Sequence, residues 1–179
     1  QALLKFKVPL EMLTLFHSRT QMAELLKMDQ YIDLIIPRGS KALVEHIQKN
    51  TQIPVMGHAD GICHIFADSR IAEMDKAIQV IVDAKTQYPA ACNAVETVLL
   101  HRDLDRNFLK ELVESLEARQ VQIFADQEIS AMCAKRFHEP ASWQMEYGDL
   151  KISLRLVDSL EQAIEHINCF GSHHTDCIL

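Results

Sequence analysis

Val82-Asp83-Ala84-Lys85-Thr86-Gln87-Tyr88-Pro89-Ala90-Ala91-Cys92-Asn93-Ala94-Val95-Glu96-Thr97 is the stretch on which the reading of this chain turns. Upstream of it, Ile71, Met74, Ile78, Ile81 and Val82 recur at helical spacing, so residues 71–85 are expected as an amphipathic helix. Downstream, residues 96–101 with Val98-Leu99-Leu100 read as an apolar strand. The short loop between them holds Cys92, with Pro89-Ala90-Ala91 leaving room for a ligand to approach. A thiol held between rigid flanks can act as a covalent nucleophile. The alternative is a small buried hydrophobe, the usual fate of a free cysteine.

Working outward, helical and strand patterns alternate, which predicts an α/β fold of three layers, a mostly parallel sheet with helices on both faces. A helix is expected over 18–28, with Met22, Leu25 and Leu26 on one face, and a strand buried on both faces over 32–36. Ser40 is a candidate cap for a helix carrying Leu43, Val44 and Ile47. Short strands are expected over 54–56, 62–67 and 121–124, with a longer one over 150–157. Asp105 should cap a helix that turns Leu109, Leu112, Val113 and Leu116 inward, and residues 127–137 should form another. Asp158 and Glu161 have capping-box spacing ahead of a helix carrying Leu160, Ile164 and Ile167. Residues 175–179 should be the last strand, and no internal repeat or low-complexity segment is present.

The 179 residues, 48% of them apolar, are enough for a real core, and the net charge is −7. No basic stripe with interleaved aromatics points to nucleic acid, and no apolar run has the length of a membrane span. No signal-peptide pattern opens the sequence. The five cysteines are odd in number and irregularly spaced, which favours a reducing compartment over a disulfide framework. A start on Gln1 and an end inside an apparent strand suggest an internal piece of a longer protein.

Several polar residues bear on chemistry. The N–H of Cys92 is the natural donor to a developing oxyanion, and the Asn93 side chain is a second, unless Asn93 only shapes a turn. Lys85 either lowers the thiol pKa or attracts phosphate, or is a solvated helix-end cation. Glu96 is either a structural partner or an active-site base. Arg38 and Gly39 close a strand at its carboxyl end, where α/β folds bind ligands, and are candidates for cofactor contact. His58 is a candidate for substrate contact, and His64 a core or supporting residue. Cys63-His64 directs its side chains to opposite faces of a strand, so no metal is expected there.

The run Ala84-Lys85, Pro89, Cys92-Asn93 and Glu96-Thr97 resembles the signature of the gamma-glutamyl phosphate reductase (glutamate-5-semialdehyde dehydrogenase) family, a branch of the aldehyde dehydrogenase superfamily. Three further segments match in the same order: residues 33–40, residues 53–64, and Phe170-Gly171-Ser172-His173-His174-Thr175-Asp176. The family more often has tyrosine where Phe170 stands. The resemblance implies an aldehyde-dehydrogenase-like fold, with residues 1–56 as the end of a nucleotide-binding domain and 57–179 as a truncated catalytic domain. It implies that Cys92 attacks gamma-glutamyl phosphate, that a thioester forms, and that NADPH reduces it to glutamate-5-semialdehyde in proline biosynthesis. Hydrolytic relatives carry a Glu-Leu-Gly-Gly motif, and the comparable residues 55–61 contain no glutamate, which favours reduction. Reductive turnover needs little base, so the structural reading of Glu96 is favoured.

By the same resemblance His174 lies near the active site or a subunit contact, and is a candidate for substrate binding. A homo-oligomer is implied, with glutamate kinase as a partner. A cytoplasmic enzyme is expected, or a mitochondrial one if the parent is a fused pyrroline-5-carboxylate synthase. Asp29-Gln30-Tyr31 and Lys85-Thr86-Gln87-Tyr88 look like stand-alone bacterial or photosynthetic-lineage forms. The alternatives are another member of the superfamily, or a piece without catalytic activity in isolation.

Overall fold

The computed structural model describes residues 5–6, 9, 12–39, 41–57 and 60–179. Contacts divide the chain into two compact units, Gln1–Ala59 and Asp60–Leu179, where the sequence placed a seam after Met56.

In the first unit, α1 (Arg19–Leu25) begins with a full capping box: the Ser18 hydroxyl accepts from the Gln21 N–H, and the Gln21 side chain accepts from the Ser18 N–H. Helix α2 (Lys41–Lys49) buries Val44 and Ile47, while Ser40 lies outside the described residues. The doubly buried strand expected over 32–36 is not formed. A single bridge joins Ile35 to Val55, and Ile36 is 61% exposed. Apolar sequence alone does not make a buried strand; it needs neighbours on both sides, and Val55 is the one bridge partner it has among the described residues.

The second unit is a five-stranded parallel sheet of order β3-β4-β2-β1-β5, made of β1 (Cys63–Ala67), β2 (Val95–His101), β3 (Gln122–Ala125), β4 (Lys151–Val157) and β5 (Asp176–Ile178). Helices α3 (Met74–Thr86) and α4 (Arg106–Ala118) cover one face. Ile78, Ile81, Phe108, Leu112 and Leu116 pack there against Ile65, Val98, Leu100, Ile152 and Leu154. The intervening positions, Phe66 and Leu99, face the other way and meet Ala163 and Ile167 of α6 (Leu160–Phe170). Alternation along each strand therefore splits two apolar surfaces between two helical layers.

Asp105 caps α4 as expected, accepting from the Asn107 N–H at 2.8 Å. Helix α5 stops early, at Gln127–Met132, because Ala134 takes φ +49° and the Lys135 N–H returns to the Ser130 carbonyl at 3.0 Å. The cap of α6 is Ser159, not Asp158: its hydroxyl accepts from Gln162 N–H, while the Gln162 side chain accepts from the Asp158 N–H. Leu160 and Ile164 are 41% and 47% exposed, while Ala163 and His166 are buried. The last strand is an exposed edge, hydrogen-bonded on one side to β1.

Candidate active site

Helix α3 runs out at Thr86, and two successive turns carry the chain into β2. The Ala91 N–H donates to the Tyr88 carbonyl and the Ala94 N–H to the Ala91 carbonyl, both at 3.0 Å. Pro89 suits the second position of the first turn, and Asn93 the third position of the next. Cys92 rides on that second turn, half-buried, with Asn93 exposed beside it. Neither the Cys92 nor the Asn93 N–H makes a hydrogen bond among the described residues.

The Cys92 turn rests on the entry to β1. A Cβ at Gly61 would fall 2.2 Å from the Cys92 oxygen and 2.8 Å from its Cα, so only glycine permits this approach. The buried Cys63 thiol donates to the Cys92 carbonyl at 3.2 Å, and its sulfur lies 3.9 Å from His174 Nδ1. Burial pushes the Cys63 thiol up to about 11, so it stays protonated at neutral pH.

Neighbouring residues fix the 172–176 loop to the same strand. The Ile62 N–H donates to Ser172 Oγ at 2.9 Å. The His64 N–H and Nδ1 reach Asp176 Oδ1 at 3.1 and 3.0 Å. His174 Nδ1 pairs with Thr175 Oγ1 at 2.8 Å. The site thus gathers at the amino ends of β1, β2 and β5, opposite the strand ends where open α/β sheets usually bind ligands.

Behind the turn lies a buried ion pair. Lys85 Nζ is 2.8 Å from Glu96 Oε2, and both side chains are sealed from solvent. The other carboxylate oxygen accepts the Gly148 N–H at 3.2 Å. Burial pulls Lys85 below its ordinary value and pushes Glu96 above, and the attraction between them opposes both shifts.

The structure therefore brings Cys92, Asn93 and His174 into one neighbourhood. Lys85 is not a solvated helix-end cation: it backs the turn from inside, with Glu96 as its partner. His58 lies outside the described residues. Arg38 and Gly39 belong to the first unit, where Arg38 is exposed and a Cβ at Gly39 would meet Leu43 Cδ2 at 2.6 Å. No group of three or more His, Cys, Asp or Glu is arranged to hold a metal among the described residues. Sequence reasoning missed Gly61 and Cys63 as supports of the Cys92 turn. The usable signal was a glycine just before a strand, which marks close backbone approach.

No protein-family model matches the chain. It is 49% identical over 166 residues to the gamma-glutamyl phosphate reductase of Trichodesmium erythraeum, covering 92% of this chain and 38% of that protein. The crystal structure of gamma-glutamyl phosphate reductase from Thermotoga maritima superposes with a TM-score of 0.84 at 34% identity, over 90% of this chain and 39% of that one. The NADP complex of glyceraldehyde-3-phosphate dehydrogenase GapN from Methanocaldococcus jannaschii has the same fold, with a TM-score of 0.65 at 14% identity, over 99% of this chain and 52% of that one. The chain spans about two-fifths of the length of the curated relatives it matches. Over nearly all of that span it matches the gamma-glutamyl phosphate reductases in sequence and fold.

Proposed function

We propose that this chain supplies the nucleophile for the NADPH-dependent reduction of gamma-glutamyl phosphate to glutamate-5-semialdehyde, a step of proline biosynthesis. What carries the reading is the Cys92 turn: a half-buried thiol whose own N–H and the next make no hydrogen bond among the described residues, in a chain 49% identical to a gamma-glutamyl phosphate reductase.

The Cys92 thiolate attacks the acyl carbon, the carbon–oxygen bond to phosphate breaks, and phosphate leaves with the electron pair. A thioester remains on Cys92. NADPH, when bound, supplies the hydride. Collapse of the resulting thiohemiacetal releases the aldehyde and returns the thiolate. Residues 55–61 hold no glutamate to activate water against the thioester. His174, beside Cys63, is the described candidate for the polar end of the substrate. Exposed Arg38 and the bare backbone of Gly39 suit an anionic phosphate of the cofactor. In this reading Gln1–Ala59 belongs to the nucleotide-binding domain and Asp60–Leu179 to the catalytic domain, in a cytoplasmic homo-oligomer that can receive its substrate from glutamate kinase.

The test is NADPH formation from pyrroline-5-carboxylate and NADP in the full-length gene product, with and without phosphate. Activity should require phosphate, and Cys92→Ser should abolish it. Activity that ignores phosphate would indicate an aldehyde-oxidising member of the superfamily instead.

A further inference from the structure

We propose that Cys63 is a positioning residue: its thiol holds the Cys92 carbonyl inward and so turns the Asn93 N–H toward the acyl oxygen that gains charge when Cys92 attacks. The inference rests on the acyl-transfer reading above. It starts from peptide geometry. No cis peptide occurs among the described residues, and in a trans peptide the carbonyl and the following N–H point to opposite sides. The Cys92 carbonyl is drawn to the buried side, where Cys63 Sγ donates to it at 3.2 Å and Gly61 leaves it space. The Asn93 N–H of the same peptide must then emerge on the other side, where Asn93 is exposed and Cys92 half-buried. It makes no hydrogen bond among the described residues, so it is available to an incoming oxyanion.

Cys63 is suited to this task rather than to chemistry of its own. A protonated thiol has one hydrogen to give, and here it goes to the Cys92 oxygen. On its other side the sulfur lies 3.9 Å from His174 Nδ1, which in turn pairs with the Thr175 hydroxyl. The donor is thus anchored in the 172–176 loop, and a shift of that loop would rotate the Cys92–Asn93 peptide.

Two reactions of Cys92 separate oxyanion stabilisation from nucleophilicity. In acetylation by p-nitrophenyl acetate a carbon–sulfur bond forms, the ester carbon–oxygen bond breaks, and p-nitrophenolate leaves with the electron pair after an oxyanion has formed. Alkylation by iodoacetamide displaces iodide with no oxyanion. Both are followed on the Cys92 peptide by mass spectrometry, which keeps the other cysteines out of the measurement. Cys63→Ala should slow acetylation about tenfold to a hundredfold, and change alkylation by less than about twofold. Cys63→Ser, which restores a donor, should recover acetylation to within about threefold of the unmodified chain. Equal losses in both reactions, unchanged acetylation in Cys63→Ala, or Cys63→Ser behaving like Cys63→Ala would each overturn the proposal. Neither reaction needs NADPH or gamma-glutamyl phosphate, so failure of the reductase reading would show separately in the phosphate-dependent assay.

Discussion

Gly61 and the Lys85–Glu96 pair show how much of this site is decided by single atoms. A methyl group at Gly61 meets backbone, not a yielding side chain, so either the Cys92 turn or the start of β1 must move. Gly61→Ala is expected to cost about 1–3 kcal/mol in urea denaturation, the usual range for overpacking, and to slow Cys92 acetylation. A full acetylation rate with normal stability would show that the contact is slack. The ion pair offers a sharper contrast. Lys85→Met leaves Glu96 charged and buried without its partner, and should cost about 3–5 kcal/mol. Lys85→Met with Glu96→Gln removes both charges and keeps an acceptor for the Gly148 N–H, so it should regain at least about half of that loss. Equal instability in the single and double variants would mean that the pair matters through packing alone.

At the scale of elements, α6 joins the sheet through histidines. His166 lies against the ring of His64 at 5.3 Å, accepts from Arg155 Nη1 at 2.6 Å, and touches Phe170 and Trp143. The Nε2 atoms of both histidines are buried without a hydrogen-bond partner. Burial lowers both pKa values from 6.5, and His166, also repelled by Arg155 and His64, falls to about 3. The unfolded chain therefore binds protons that the native chain refuses. For His166 this contribution is fully present above pH 6.5 and is lost as pH falls toward 3, by about 1.4 kcal/mol per pH unit, and His64 acts in the same direction. His166→Gln should remove one proton from that slope in urea titrations between pH 7.5 and about 5. An unchanged slope would mean that His166 titrates normally in the native state.

These elements also show what the sequence disclosed. Helix α3, the Cys92 loop and β2 were legible because local periodicity and turn chemistry agree there. Along α6 helical spacing names an apolar face but not what covers it: Leu160 and Ile164 are exposed, and small Ala163 and polar His166 fit against the sheet. The strand over 32–36 failed for the same reason, since its apolarity says nothing about which strands lie alongside. In the sequence Cys63 stands out only as the neighbour of His64, with no metal expected, and its closeness to the Cys92 oxygen, 29 residues away, gives it a role. Such distant contacts leave no local trace.

For the whole molecule, the core is distributed unevenly. In the Gln1–Ala59 unit the buried apolar residues among those described are Val44, Ile47 and Ile53, whereas the sheet and its helices in Asp60–Leu179 hold the two apolar clusters. A polypeptide of residues 60–179 should therefore fold alone and unfold at a urea midpoint close to that of the full chain. A large loss of midpoint would show that the first unit stabilises the second. The same corner that tunes stability with acid also gives the molecule an optical handle. The sequence has one tryptophan, Trp143, and it sits 5.4 Å from the His166 ring with the Arg155 guanidinium 5.1 Å above its own. All indole emission thus comes from the seam between α6 and the sheet, so quenching and red shift on acidification would report that seam opening, with no label attached.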